Sequence, residues 1–193
     1  MLDTARLSLN RRNWVFFLVT VIGTVVDQVS KWWIIKNIPL HGEQKVIDGW
    51  FSLTHQQNPG AAFSMLAGNE YRHIVFGGFT IVCFFIVADV LRRLPSRDWY
   101  QSAAIGLILS GALGNAMDRV RLRVVTDFLL VYTEQPALKA FCENWFNTSR
   151  YPSFNIADAA LLIGIVMLGL HYLFVEEGTK SWTGDVKGEA PAS

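Results

Sequence analysis

The residues best equipped for chemistry in this chain are aspartates set beside asparagines. Asn115-Ala116-Met117-Asp118 and Asn155-Ile156-Ala157-Asp158 both read Asn-x-x-Asp, which on a helix places amide and carboxylate on one face, a turn apart. Between them Asp127 stands in a β-rich run, Val124-Val125-Thr126-Asp127-Phe128. Competing nucleophiles are poor: Ser102 and Ser110 have no Lys or His close in sequence, and Cys83 lies inside an apolar run. There is no Gly-x-Ser-x-Gly turn and no His-Glu-x-x-His helix. His41, His55, His73 and His171 are scattered singly, without ligand spacing, so neither a metal nor another cofactor is expected. Carboxylate chemistry remains. Two aspartates held close in a poorly solvated site share one proton, because like charges there cannot both ionise. The ionised member takes a proton from water while the protonated member donates to a carbonyl oxygen, which suffices to hydrolyse a peptide bond. The competing reading for one aspartate at a helix end is capping, since Asp158 falls in a first turn where negative charge is favoured. Three aspartates and two such motifs gathered in one layer fit that reading less well.

Positioning these groups falls to segments of bilayer length. Trp14–Ile35, Tyr71–Leu91, Gln101–Asp118 and Asn155–Val175 each approach the roughly 20 apolar residues that a spanning helix needs. The first carries Asp27, Gln28, Ser30 and Lys31 near its end; Asp27 and Lys31, four apart, can pair on one turn. No small-x-small cleavage site follows it, so it reads as a retained span and not a signal peptide. The third has Ser102, Gly106, Ser110 and Gly114 at four-residue intervals, a stripe that admits a neighbouring helix closely. Arg6, Arg11 and Arg12 precede the first span, and Arg92, Arg93 and Arg97 crowd the link after the second; Asp89 there reads as solvated or paired. Positive charge of that distribution places both termini and this link in the cytoplasm, with the two long connections outside.

Within those outer connections, Val46–His55 and Val124–Tyr132 carry strand signals and predict a small sheet. Leu138, Phe141, Cys142 and Trp145 recur at i, i+3, i+4 and i+7, with Pro136 suited to a first turn, predicting an interfacial helix over Pro136–Asn147. Asn147-Thr148-Ser149 matches a glycosylation sequon, a pattern short enough to arise by chance. The expected fold is an all-α polytopic membrane protein of four transmembrane helices, with a small extracytoplasmic sheet and a short interfacial helix. It makes one domain over residues 1–177, followed by a disordered tail over 178–193.

Composition supports this frame. At 193 residues there is length for one domain, and 51% of the chain is hydrophobic against 17% charged, where soluble domains carry about 25% charged residues. A net charge of +1 with no basic stripe gives no reason to expect a nucleic-acid partner. Cys83 and Cys142 lie in an apolar run and a polar loop, an unsuitable pair for a disulfide.

Five segments together resemble the bacterial lipoprotein signal peptidases (type II signal peptidases): Asp27-Gln28-Val29-Ser30-Lys31, Asn58-Pro59-Gly60-Ala61-Ala62-Phe63, Gly114-Asn115-Ala116-Met117-Asp118-Arg119, Val125-Thr126-Asp127-Phe128 and Phe154-Asn155-Ile156-Ala157-Asp158. Each is weak alone; five in the family's order, on matching spans, make the resemblance strong. It implies an aspartic endopeptidase that cleaves prolipoproteins before a diacylglyceryl-modified cysteine, with Asp127 and Asp158 as the catalytic dyad. It further implies that Asn58, Asn115, Arg119 and Asn155 line the substrate site and that Asp27, Lys31 and Asp118 support it. The implied setting is the bacterial inner membrane, with an outer β-cradle, the active site at the outer face, and a monomer acting on lipidated substrate among membrane lipids. Thirty residues separate Asp127 from Asp158, more than the family usually has, and the excess contains the interfacial helix. Two other classes stay in view. A proton-coupled transporter expects carboxylates near mid-bilayer and repeated halves, neither of which is seen here. An assembly factor leaves the convergence of three aspartates unexplained.

Overall fold

A computed structural model describes residues 11–60, 72–96 and 98–184. Arg6, Ala61-Ala62-Phe63, Arg97 and residues 185–193 of the segments read above lie outside them. The order is α1 (Arg11–Asn37), β1 (Glu43–Ile47), β2 (Phe51–Asn58), α2 (Arg72–Arg93), α3 (Trp99–Leu122), β3 (Val125–Val131), α4 (Pro136–Phe146) and α5 (Ile156–Gly184). Four long helices thus stand where four spans were expected. Among the described residues, α1 and the Ile156–Phe174 part of α5 are long and apolar enough to cross a membrane. The exposed faces are apolar: Phe17, Val21, Ile22, Val25 and Val29 on α1, and Leu162, Ile163, Ile165 and Val166 on α5. An apolar surface of that extent needs lipid or another partner to cover it.

Helix α3 is the hub, packed against α1, α2 and α5. Its small-residue stripe does what its spacing predicts. A Cβ on Gly106 would stand 3.0 Å from the Phe16 carbonyl oxygen, and Ser110 Oγ sits where a Cβ on Gly23 would need to be, at 2.6 Å. Gly114 abuts the Asp27 carboxylate in the same way. On the other side, Gly111 lies against the Ala157 carbonyl, and Gly164 of α5 would place a Cβ 2.6 Å from the Ala104 carbonyl oxygen. At one end of this bundle Arg12 donates to the Leu94 carbonyl (2.5 Å) and Arg93 pairs with Asp89 (2.8 Å), so the Asp89 reading as a paired residue holds.

The other end carries a three-stranded antiparallel sheet, ordered β1-β2-β3. Ile34, Ile38 and Phe128 form a buried cluster with Leu53, Leu129 and Ile156 around it, seating the sheet on the last turns of α1. The single strand expected over Val46–His55 is instead a hairpin. Trp50 donates to the Ile47 carbonyl (3.0 Å), and Gly49 takes φ +77°, a conformation that the Asp48-Gly49 pair supplies. Helix α4 forms where the spacing predicted it, with Pro136 in its first turn, and Asn147 caps its end in the left-handed conformation. Helix α5 continues to Gly184, beyond Val175 and into the stretch read as disordered tail.

Candidate active site

Backbone pairing brings the two halves of the site together. Asp127 sits in mid-β3 opposite Gln56, and Asn58 at the end of β2 pairs with Val125. Phe128 and Leu129 both donate to the Phe154 carbonyl, at 2.9 and 2.8 Å, and Phe154 donates back to Leu129 at 3.1 Å. That bridge fixes the residue before Asn155 to the residues after Asp127. The start of α5 therefore meets β3 although residues 132–155 intervene in sequence.

The carboxylates are held by amides. Asp127 Oδ2 accepts from Asn58 Nδ2 at 2.9 Å, and Asp127 Oδ1 from Asn155 Nδ2 at 2.7 Å. Asp158 Oδ1 accepts from Asn115 Nδ2 at 2.8 Å. Asn155 Nδ2 also reaches Asn115 Oδ1 at 3.2 Å, so one asparagine ties the surroundings of both aspartates. Arg119 donates to the Asn115 carbonyl (3.4 Å), and its charge interacts with those of Asp158, Asp127 and Asp118.

The second Asn-x-x-Asp motif differs from its reading as two helical residues. Asn155 lies one residue before α5, and the motif closes as a reciprocal cap. The Asp158 N–H donates to Asn155 Oδ1 (2.9 Å), and the Asn155 N–H to Asp158 Oδ2 (3.2 Å). The cap engages only one oxygen of Asp158: Oδ2 caps, while Oδ1 turns to Asn115.

Asp127 is only 4% exposed. Burial pushes its carboxyl up to about 6, the nearby Asp158 charge adding to the rise, while hydrogen bonds from Asn58 and Asn155 and the Lys31 charge oppose it. The usual value is near 4. Asp158 is half-buried at the N-terminus of α5, its two oxygens taking N–H groups from Asn115 and Asn155. The two carboxyls thus differ in setting, Asp127 closed within the sheet edge and Asp158 more open at a helix start.

Behind Asp127 and Asp158 lies a buried ionic cluster. Lys31 Nζ stands 3.0 Å from Asp27 Oδ2 and 3.1 Å from Asp118 Oδ2, so the α1 ion pair is a triad that also engages α3. Asp27 Oδ1 accepts the Ala157 N–H (2.9 Å), and Asp118 Oδ2 accepts the Thr126 N–H (3.0 Å). Asp27 and Asp118 therefore anchor the backbone next to Asp158 and Asp127 respectively. Gln28 escaped the sequence reading as a site residue. Its Nε2 lies 3.1 Å from Asp27 Oδ2, from Asp118 Oδ1 and from the Gly114 carbonyl, and Arg121 donates to its Oε1 at 3.1 Å. A neutral polar residue beside Asp27 in an apolar helix was the available signal.

Comparison with known proteins defines the class first. The fold superposes on a bacterial membrane enzyme structure determined in meso at 1.9 Å resolution, with TM-score 0.68 and 27% identity over 82% of this chain and 92% of that one. A second such structure, at 2.3 Å, gives TM-score 0.67 and 26% identity over 91% and 94%. The chain is thus of a helical bacterial membrane-enzyme class. The sequence model of signal peptidase (SPase) II matches residues 19–174. Lipoprotein signal peptidases of Geobacter metallireducens and Pseudomonas syringae pv. tomato are 36% and 37% identical, covering 81% and 84% of this chain and 88% and 87% of theirs. The chain belongs to the signal peptidase II family, whose members are aspartic peptidases.

Proposed function

We propose that Asp127 and Asp158 are the catalytic dyad with which this signal peptidase removes signal peptides from prolipoproteins, cutting before a diacylglyceryl-modified cysteine. The observation that carries the assignment is the unlike setting of the two carboxyls around shared asparagines. Asp158 is the base that deprotonates water, and Asp127 is the acid that protonates the scissile carbonyl oxygen. Asn58, Asn115, Asn155 and Arg119 hold the carboxyls and face the substrate, while Asp27, Lys31 and Asp118 support them. All four long helices span the bacterial inner membrane as one domain, acting as a monomer. Both termini are cytoplasmic, because Arg12, Arg92 and Arg93 gather at the bundle end opposite the dyad. The dyad then meets a lipidated cysteine at the outer face.

The rate–pH profile tests the shared proton. Below the lower limb both carboxyls are protonated and no base remains; above the upper limb both are ionised and the acid is lost. The upper limb of kcat/KM falls near pH 6, where Asp127 gives up its proton, although each limb belongs to the coupled pair. Substrate binding removes further water and carries the limb of kcat to higher pH. Turnover measured across acid and neutral pH with chelator present throughout checks both points. A rate that only rises to pH 9, or one extinguished by chelator, contradicts a one-proton dyad.

Helix α4 lies on the outer leaflet and steers the lipid anchor toward the dyad. Phe141 and Trp145 are 53% and 73% exposed, and Phe146 adds to the same apolar surface. Aromatic side chains so placed favour the membrane interface. An apolar cavity of about 570 Å3 lies between α4, through Leu138, Cys142 and Phe146, and Tyr132 and Tyr151 beside the sheet. The double variant Phe141→Ser/Trp145→Ser raises KM for a lipidated substrate several-fold while kcat changes little, since the helix serves binding and not chemistry. Unchanged kinetics would discard the steering role, and Trp145 fully quenched by aqueous iodide in lipid would discard the placement.

A further inference from the structure

We infer that Lys31 is a positioning residue of the dyad, acting through the amide of Asn115, and not only the cation of a structural ion pair. The inference rests on the dyad assignment above. An ammonium has three donors and no acceptor, and Lys31 Nζ meets three acceptors: Asp27 Oδ2 at 3.0 Å, Asp118 Oδ2 at 3.1 Å and Asn115 Oδ1 at 3.1 Å. Two of these contacts neutralise charge. The third points toward the dyad and does something a carboxylate pair alone does not require.

The third bond decides which way the Asn115 amide faces. Because the ammonium can only donate, the atom beside it is the carbonyl oxygen, and Asn115 Nδ2 is thereby turned to Asp158 Oδ1 at 2.8 Å. A flipped Asn115 would set its NH2 against the ammonium and against Asn155 Nδ2, and its carbonyl against the Asp158 carboxylate. The same Asn115 Oδ1 receives Asn155 Nδ2 at 3.2 Å, and that Nδ2 also donates to Asp127 at 2.7 Å. Asn155 is locked independently from its other end, because its Oδ1 accepts the Asp158 N–H at 2.9 Å. A chain of compelled donors therefore runs from Lys31 through Asn115 to Asp158, and through Asn155 to Asp127. Lys31 is 2% exposed and Asn155 fully buried, so solvent does not compete for the bonds between Lys31, Asn115 and Asn155. With Lys31 absent, Asn115 Oδ1 keeps only the Asn155 donor, and the Asn115 N–H to Asp158 loses both alignment and occupancy.

The test separates charge from positioning. Lys31→Met alone leaves Asp27 and Asp118 facing each other without a cation, which threatens folding. Lys31→Met/Asp27→Asn removes the ammonium and one carboxylate together, so the buried net charge equals that of the native triad. In this double variant the melting temperature returns toward wild type. At the same time kcat stays down by roughly tenfold to a hundredfold, the range seen when an outer partner of a reacting group is lost, with KM for lipidated precursor peptide unchanged. Lys31→Met/Asp118→Asn poses the same question from α3 should the first variant fail to fold. Wild-type kcat in either folded double variant would overturn the proposal and leave Lys31 as an ion-pair partner. Asp127→Asn is run beside them. If it turns over like wild type, the dyad reading and this one fall together, whereas an inactive Asp127→Asn beside a fully active double variant removes the positioning role alone.

Discussion

Asp127→Asn and Asp158→Asn each reduce cleavage of a lipidated precursor peptide by a factor of about 100 to 10,000 or more, the range that a positioned acid or base supplies. The two losses are not additive: the double variant is no slower than the worse single one, because the carboxyls act as one unit around a shared proton. The structure also separates this loss from loss of fold. In Asp158→Asn the new side-chain oxygen still accepts the Asn155 N–H that Oδ2 now takes at 3.2 Å, so the cap at the start of α5 survives. The new NH2 then faces the Asn115 amide that Oδ1 now accepts at 2.8 Å, and Asp127→Asn meets the same conflict. Asp127 receives N–H groups on both oxygens, from Asn58 and from Asn155, and an amide placed there sets its own NH2 against one of these donors. A stability cost of about 1–2 kcal/mol follows from that unmade bond, small enough to leave the protein folded in detergent. Thermal melts beside turnover check the pair of expectations. Wild-type turnover in either variant would leave capping as the account of Asp158.

What the sequence made legible was what local spacing controls. The Ser102-Gly106-Ser110-Gly114 stripe announced a close helix neighbour because a four-residue repeat of small side chains has little other use, and α1 lies on it. Asp27 and Lys31 announced a pair because they stand one turn apart, yet nothing local told them of Asp118, which approaches from α3. Asp48-Gly49 carried the hairpin signal, but the loose alternation on either side of it read as one strand. That Asp118, Asp127 and Asp158 gather in one layer followed from the spans, but that Asp127 pairs with Asp158 was reachable only through the resemblance. The Phe128 and Leu129 bonds to the Phe154 carbonyl that enforce it are backbone pairings, and backbone pairing between segments so distant leaves no mark in side-chain pattern. Gln28 shows the same limit: its amide reaches atoms of Asp27, Gly114 and Asp118, two of them on another helix.

Gly114→Ala is expected to damage stability and catalysis together, and Gly77→Ala or Gly78→Ala to damage neither. A methyl on Gly114 would collide with Asp27 Oδ2 and come within 3.1 Å of Ala157 Cβ. The carboxylate it meets has nowhere to retreat. Asp27 is fully buried, with Oδ2 in contact with Lys31 and Gln28 and Oδ1 on the Ala157 N–H. Accommodation therefore requires α1 and α3 to separate or the Asp27 rotamer to be abandoned, and overpacking of a close contact costs about 1–3 kcal/mol before the broken ion pair is counted. Either response moves Lys31, and with it Asn115 and the carboxylate that Asn115 holds. Turnover per folded molecule should therefore fall along with the melting temperature. Gly111→Ala makes the comparison sharper, since its methyl would meet the Ala157 carbonyl, a backbone atom that cannot rotate aside. Among the described residues nothing lies within 4 Å of where a Cβ on Gly77 or Gly78 of α2 would stand, and alanine there gains helix propensity of about 0.5–1 kcal/mol. Thermal unfolding in detergent, read with turnover on the same preparations, distinguishes these cases. Wild-type melting and turnover in Gly114→Ala would mean that α1 and α3 stand farther apart than the Gly114–Asp27 contact allows, and would loosen the whole chain of contacts from the triad to the dyad.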